Sequence, residues 1–134
     1  MEEVKFEVEY KPGVPNKNKV VISEECFKSM SDQVSKAYEQ GNPIKLTIAK
    51  SEDVSKEDFC TIKPEDIIGD VKEFTIDHTT VEIQNCSEKI ADYLISNGYS
   101  LGYRMTCEID IKGDLTKDVR VPNLICFDMI KNRA

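Results

Sequence analysis

Every second residue from Tyr99 to Ile111 is apolar or aromatic: Tyr99, Leu101, Tyr103, Met105, Cys107, Ile109 and Ile111. The residues between and just beyond are Ser100, Gly102, Arg104, Thr106, Glu108, Asp110 and Lys112. Successive side chains of a strand point to opposite faces, so this pattern predicts one long strand with a single apolar face. Thirteen residues at about 3.3 Å each span roughly 43 Å, where a usual strand has ~5–6 residues. Gly102 falls on the polar face, where a missing side chain lets a strand bend or be approached closely.

Lys112-Gly113-Asp114 is a turn signal after this strand. On the return, Leu115, Val119, Val121, Ile125, Phe127 and Met129 share odd numbering. The apolar faces of the two arms meet only if odd pairs with odd, so the connecting loop should hold an odd number of residues. Pro122 removes a ladder donor and predicts a sheet edge or a break between two shorter strands.

The rest of the chain reads in the same way. Val4, Phe6, Val8 and Tyr10 alternate with polar residues as a first strand, and Val20-Val21-Ile22 makes a short second one. Ser23 is placed as a helix N-cap with Glu24 and Glu25 in the first turn. Phe27, Met30, Val34, Ala37 and Tyr38 form one stripe behind it, and Gly41 with Asn42-Pro43 stops the helix. Ile44, Leu46 and Ile48 make a third strand, and Ser51 to Pro64 reads as a loop with one helical turn.

From Ile67 to Ile83 the pattern is a hairpin around Asp77-His78, pairing Ile76 with Thr79 and placing Phe74, Ile76, Val81 and Ile83 on one face. Val71 is out of phase with Phe74, which predicts a bulge near Lys72-Glu73. Asn85 or Ser87 begins a second helix through about Asn97, with Gly98 as its stop. The order β-β-α-β-β-β-α-β-β predicts a single α+β domain over 1–134. Its sheet is expected to be mainly antiparallel and strongly curved, or a partly open β-barrel, of about seven strands with two helices.

Composition excludes several classes. Hydrophobic residues make up 40% and charged residues 32% of 134, which describes a globular chain able to bury a core without staples. No apolar run approaches the ~20 residues that span a bilayer. The charged start Met-Glu-Glu-Val-Lys-Phe-Glu lacks the features of a signal peptide, so the chain reads as cytoplasmic, or virion-borne if phage-derived. Net charge is −7, and an acidic chain repels phosphate backbones, so neither direct nucleic-acid binding nor a membrane partner is expected. Between Ser51 and Asp77 nine acids stand against Lys56, Lys63 and Lys72, which places six of the seven net negative charges there.

Chemistry is harder to find. His78 is the one histidine, and at a hairpin tip beside Asp77 it reads as a turn residue rather than a base. The five cysteines, Cys26, Cys60, Cys86, Cys107 and Cys126, are too far apart in sequence for a metal or redox motif and read as free thiols. Cys107 faces the core of the long strand, while Cys26 at a helix start is a packed thiol first and a nucleophile second. Glu52, Asp53, Glu57 and Asp58 lack the spacing of a calcium loop and read as a solvated acidic face. The glycines of Gly98 to Gly102 follow a helix and lead into a strand, the reverse of a phosphate loop. No cofactor, metal or catalytic set is expected, and the chain is read as a non-enzyme.

Three phrases carry a resemblance: Ile68-Gly-Asp-Val-Lys-Glu-Phe74, Gly98-Tyr99 through Gly102-Tyr-Arg104, and Ile125-Cys-Phe-Asp-Met-Ile130. They resemble small phage- or prophage-encoded proteins of low-GC bacteria. The resemblance covers the C-terminal half, carries no catalytic residue, and implies an accessory or virion-associated role in which β-rich domains form symmetric oligomers.

The leading expectation is therefore a structural or interaction protein. It would bind proteins and self-assemble through an exposed strand edge or apolar rim of the long hairpin, with Tyr99 and Tyr103 as candidate contacts. The alternative is an acidic inhibitor or nucleic-acid mimic that presents Glu52, Asp53, Glu57 and Asp58 to a basic partner. A third reading is an enzyme using His78 or Cys26.

Overall fold

The computed structural model describes residues 2–16, 18–49, 61–83 and 96–131. Seven strands form one sheet: β1 (Glu2–Phe6), β2 (Val20–Val21), β3 (Lys45–Ala49), β4 (Ile67–Phe74), β5 (Thr79–Ile83), β6 (Tyr99–Ile111) and β7 (Lys117–Lys131). One α-helix, α1 (Glu24–Glu39), lies between β2 and β3, and a 3-10 turn (Pro64–Asp66) leads into β4. The second helix expected from Asn85 falls almost wholly outside the described residues.

α1 begins as its sequence dictates. The Ser23 hydroxyl accepts from the Cys26 amide at 3.2 Å, and Glu24 and Glu25 occupy the first turn, where acids offset the orphan N–H groups and the dipole. Gly41 takes a left-handed φ of 76° and ends it. Phe27, Met30 and Val34 are its buried face.

The sheet order is β1-β5-β4-β3-β7-β2, with β6 paired to β7 along the other edge. β3 and β2 both run parallel to β7; β1/β5, β5/β4, β4/β3 and β6/β7 are antiparallel. This corrects the expected architecture. The sheet is mixed and open, not a mainly antiparallel curved sheet or a barrel. The reason is α1: it crosses over from β2 to β3, so both enter along the same edge of β7 in the same direction, as a hairpin cannot do. Among the described residues nothing pairs the outer edges of β1 and β6, so the sheet does not close.

The long hairpin has the expected odd loop, with five residues between Ile111 and Lys117, and pairs Leu101 with Met129, Tyr103 with Phe127 and Ile109 with Val119. That parity is lost at a register shift after Arg104–Cys126, where Met105 faces Leu124 and Thr106 faces Asn123, and is restored at a second shift between Thr106 and Glu108. At the second, Val121 has a φ of 50°, uncommon for a β-branched residue and costly unless its surroundings hold it. The Gln33 side chain of α1 does so: its amide nitrogen donates to the Pro122 carbonyl at 2.7 Å and its oxygen accepts from the Leu124 amide at 2.9 Å. Pro122 thus marks a bulge inside one continuous strand.

The β4–β5 hairpin holds the bulge expected near Lys72, with the register shifting between Val71 and Glu73. Its turn is wider than expected. Phe74, not Ile76, is the last residue facing Thr79, and Ile76 stands exposed in the loop. The core combines Phe27, Met30 and Val34 with Leu46, Val71, Phe74, Val81, Ile83, Phe127 and Met129. Tyr10, Phe27, Phe74, Tyr103 and Phe127 make a continuous aromatic cluster with ring centroids 5.3–6.1 Å apart.

Two glycines meet different neighbours. A Cβ on Gly69 would stand 2.6 Å from the Glu82 carbonyl oxygen, which is backbone, whereas one on Gly102 would meet the end of the Ile130 side chain at 2.8 Å. Gly69→Ala is therefore expected to cost ~1–3 kcal/mol in urea unfolding, and Gly102→Ala clearly less because Ile130 can rotate away. Equal costs at the two positions would contradict this packing.

Candidate functional site

Three places could carry chemistry: the one histidine of the sequence, the buried polar side chains and the end of the long hairpin. His78 sits in the β4–β5 loop with both ring nitrogens on carboxylates, Nδ1 at 2.7 Å from Asp77 and Nε2 at 2.5 Å from Glu73. The Thr75 hydroxyl accepts from the Asp77 and His78 amides and lies 3.1 Å from Nδ1. The bond to Glu73 raises the imidazole pKa above its ordinary value, and Asp77 adds to this against partial burial and Lys5. An imidazolium held by two acids is a donor, the wrong state for a general base. Bonds from Thr75 and His78 lower the Asp77 pKa in turn. This cluster shapes the turn.

A second group was not foreseen. Asp128 of β7 is 1% exposed and lies opposite Thr47 of β3 and Gly102 of β6. Arg104 of β6 grips it with two donors, Nε to Oδ2 at 2.8 Å and Nη2 to Oδ1 at 3.2 Å. The Thr47 hydroxyl donates to Oδ1, and the Cys126 thiol lies 3.5 Å from the same oxygen. Arg104 also reaches the Thr61 carbonyl at 3.4 Å. Burial works against the guanidinium charge, but the bond and charge of Asp128 outweigh it and raise the Arg104 pKa. The Cys126 thiol is pushed up to about 12 by burial and by the neighbouring carboxylate, so no thiolate forms there at neutral pH.

In an alternating reading Arg104 and Asp128 fall on the polar faces of their strands. The overlooked signal is Asp128 itself, between Phe127 and Met129 and sharing its face with Cys126 and Ile130. The cluster ties three strands together and contains no activated nucleophile.

The other foreseen residues lie as follows. Glu52, Asp53, Glu57 and Asp58 lie outside the described residues, as do Cys60 and Cys86. Of the remaining acids in that window, Asp70 pairs with Lys45 at 2.6 Å, and Glu73 and Asp77 hold His78. Tyr103 is turned into the aromatic cluster, where burial lifts its pKa to about 12, and Tyr99 packs against the core. The Cys26 thiol donates to the Val119 carbonyl at 3.3 Å, and burial raises the Cys107 pKa. Among the described residues no group of His, Cys, Asp or Glu stands where it could hold a metal ion, and no helix is long and apolar enough to cross a membrane.

The third place is the hairpin end. Leu101 belongs to the core at 9% exposure, but along the same stripe Ile109 is 48% and Ile111 68% exposed. Leu115 in the loop and Val121 at the bulge are 62% and 61% exposed. On the hairpin, Arg120 bridges Asp110 at 2.7 Å and Glu108 at 3.4 Å, and Lys112 reaches Asp118 at 3.5 Å. The arm thus pairs many of its own charges while its aliphatic side chains stay in water.

Two outcomes test these assignments. Asp128→Ala leaves Arg104 without its buried partner and is expected to cost about 3–5 kcal/mol. The double change Asp128→Leu with Arg104→Met should recover much of that loss in a denaturant cycle, and purely additive losses would contradict a coupled pair. His78 contributes stability that is complete below its unfolded pKa of about 6.5 and lost as pH rises through its higher folded value. Asp77 contributes above about 3.9, and its contribution is lost as pH falls through its lowered value. An NMR titration of the ring should give a midpoint above 6.5, moving back toward it in Glu73→Gln; a wild-type midpoint at or below 6.5 would contradict this geometry.

No protein-family model matches the chain, and no curated protein matches it. Among solved structures it is similar to the bacteriophage T4 capsid assembly protease, gp21, with a TM-score of 0.68 at 9% identity, covering 98% of this chain and 82% of that one. At that identity the likeness is one of fold. That neighbour is itself a phage protein, in line with the resemblance to phage-encoded proteins drawn from the sequence. It also overturns the reading of the chain as a non-enzyme. A protease also adopts this fold, so the fold is compatible with an enzyme.

Proposed function

We propose that this chain is a phage particle-assembly component that docks through the β6–β7 arm and self-associates by it. The observation that carries the reading is the apolar stripe of β6, which belongs to the core at Leu101 and continues into solvent at Ile109 and Ile111. Scattered exposed aliphatic residues are ordinary, but four of them gathered at the end of one hairpin suit an interaction surface. Fully burying one such side chain is worth ~1.5–3 kcal/mol. Covering these four, each half to two-thirds exposed, thus offers on the order of 4 kcal/mol per copy before the costs of association.

The fold shared with a capsid assembly protease supports the setting, a step in building the particle where proteins meet as repeated copies. The docking role is independent of catalysis and holds whether or not this chain also cuts peptide bonds.

Light scattering across a concentration series tests it. Wild type is expected to associate with increasing concentration and to remain associated in high salt, since the contact is apolar. Ile111→Asp and Leu115→Asp should each weaken association at least about tenfold, or ~1.4 kcal/mol, while the far-ultraviolet circular dichroism of the native fold is kept. A wild-type protein that stays monomeric throughout, or an oligomer untouched by both changes, would overturn the reading.

A further inference from the structure

Beside the arm lies a groove between the first turns of α1 and the β4–β5 loop. It encloses about 320 Å³ and is lined by Pro12, Glu24, Phe27, Lys28, Ser31, Thr75 and Ile76. Phe27 and the half-exposed Ile76 give it apolar walls. The Ser31 hydroxyl is already committed to the Phe74 carbonyl at 2.6 Å, so the groove suits hydrocarbon better than a polar ligand.

Resting on the reading that the arm self-associates, we infer that its receptor is this groove on a second copy, and that the contact is reciprocal, each copy's arm lying in the other's groove. Placement comes first. Gly13 bonds the Ile22 carbonyl and Lys117 bonds the Lys19 carbonyl, while β2 pairs with Lys117 and Asp118. Pro12 and Glu24 therefore stand a few residues from the strand that supports the arm, and groove and arm share one end of the molecule. Two surfaces side by side can be exchanged across a two-fold axis in a closed, isologous contact.

Charge and size agree. Among the described residues neither Glu24 nor Lys28 in the groove has an ion-pair partner, and on the arm neither does Lys117 or Asp114. One acid and one base on each side match Glu24 with Lys117 and Lys28 with Asp114. Residues 109–121 of the arm and the seven of the groove reach the ~20 residues a side of a stable interface.

Pairing β6 edge to edge with another β6 is the competing arrangement. Centred on Ile109 it sets Glu108 against Asp110, and like charges directly opposite are destabilising. That register is disfavoured, and the arm-in-groove contact uses the aliphatic face instead.

Sedimentation equilibrium of charge-reversed and apolar variants tests this, with circular dichroism confirming that each is folded. Glu24→Lys and Lys117→Glu should each weaken the dimer roughly tenfold, and the chain carrying both should regain most of it. Mixing Leu115→Asp with Ile76→Asp should give a heterodimer tighter than either homodimer, because one arm-in-groove contact stays intact. If Leu115→Asp abolishes association while Ile76→Asp and Glu24→Lys leave it unchanged, the groove is not the receptor, although the arm reading stands. If Leu115→Asp and Ile111→Asp change nothing, both fall. A wild-type mass that grows beyond the dimer without limit would replace reciprocity with an open head-to-tail chain.

Discussion

The sheet depends on a buried carboxylate. Asp128 can be ionised out of water only if its lone pairs are taken up, and the donors come from two other strands, Thr47 of β3 and Arg104 of β6. A one-residue slip of β7 would turn Asp128 toward Phe127's side of the sheet and strand Arg104, at a cost beyond what a small domain can spare. Asp128 thus pins the register on both edges of β7, through Arg104 on the β6 side and through the Thr47 hydroxyl on the parallel β3 side. Gly102, opposite Asp128 in the register, adds no side chain of its own beside the pair.

β7 is the strand to which the other elements are fitted. Its inner edge carries β2 at Lys117–Asp118 and β3 from Phe127 to Ile130. α1 serves the gap between them, with Cys26 bonding the Val119 carbonyl and Gln33 supplying a donor and an acceptor beside Pro122. A side-chain amide there does the work of a missing strand. The outer edge carries β6 throughout. β2 flanks the far end of the hairpin at Lys117 and Asp118, yet Ile109, Ile111 and Leu115 there remain about half-exposed or more.

Local periodicity made much of this legible. The β6 stripe, the α1 face with its Ser23 cap, the bulge at Lys72 and the odd hairpin loop each follow from spacing within a few residues. What stayed hidden needed distant partners. The crossover β2-α1-β3 looks in sequence like any strand-helix-strand run, and its parallel pairing appears only when β3 meets β7 some eighty residues later. Thr47, Arg104 and Asp128 hold polar positions in alternating strands, so each reads as solvent-facing until the three are brought together. A two-residue turn would put Ile76 on one face with Phe74; the Thr75–His78 cluster makes a wider loop and leaves Ile76 exposed at the groove. Tyr103, on the apolar face of β6, closes the aromatic cluster with its ring.

The same β6 stripe links fold to function. Its inner half builds the core with Phe127 and Met129, and its outer half carries the same chemistry past the last residue that α1 or β3 can cover. Amide hydrogen exchange, followed from dilute to concentrated protein, asks directly whether a second copy covers that outer half. Amides at 107–119 and around Phe27 and Ile76 are expected to slow together as concentration rises, with β1 unchanged. Exchange independent of concentration at the arm would contradict the account.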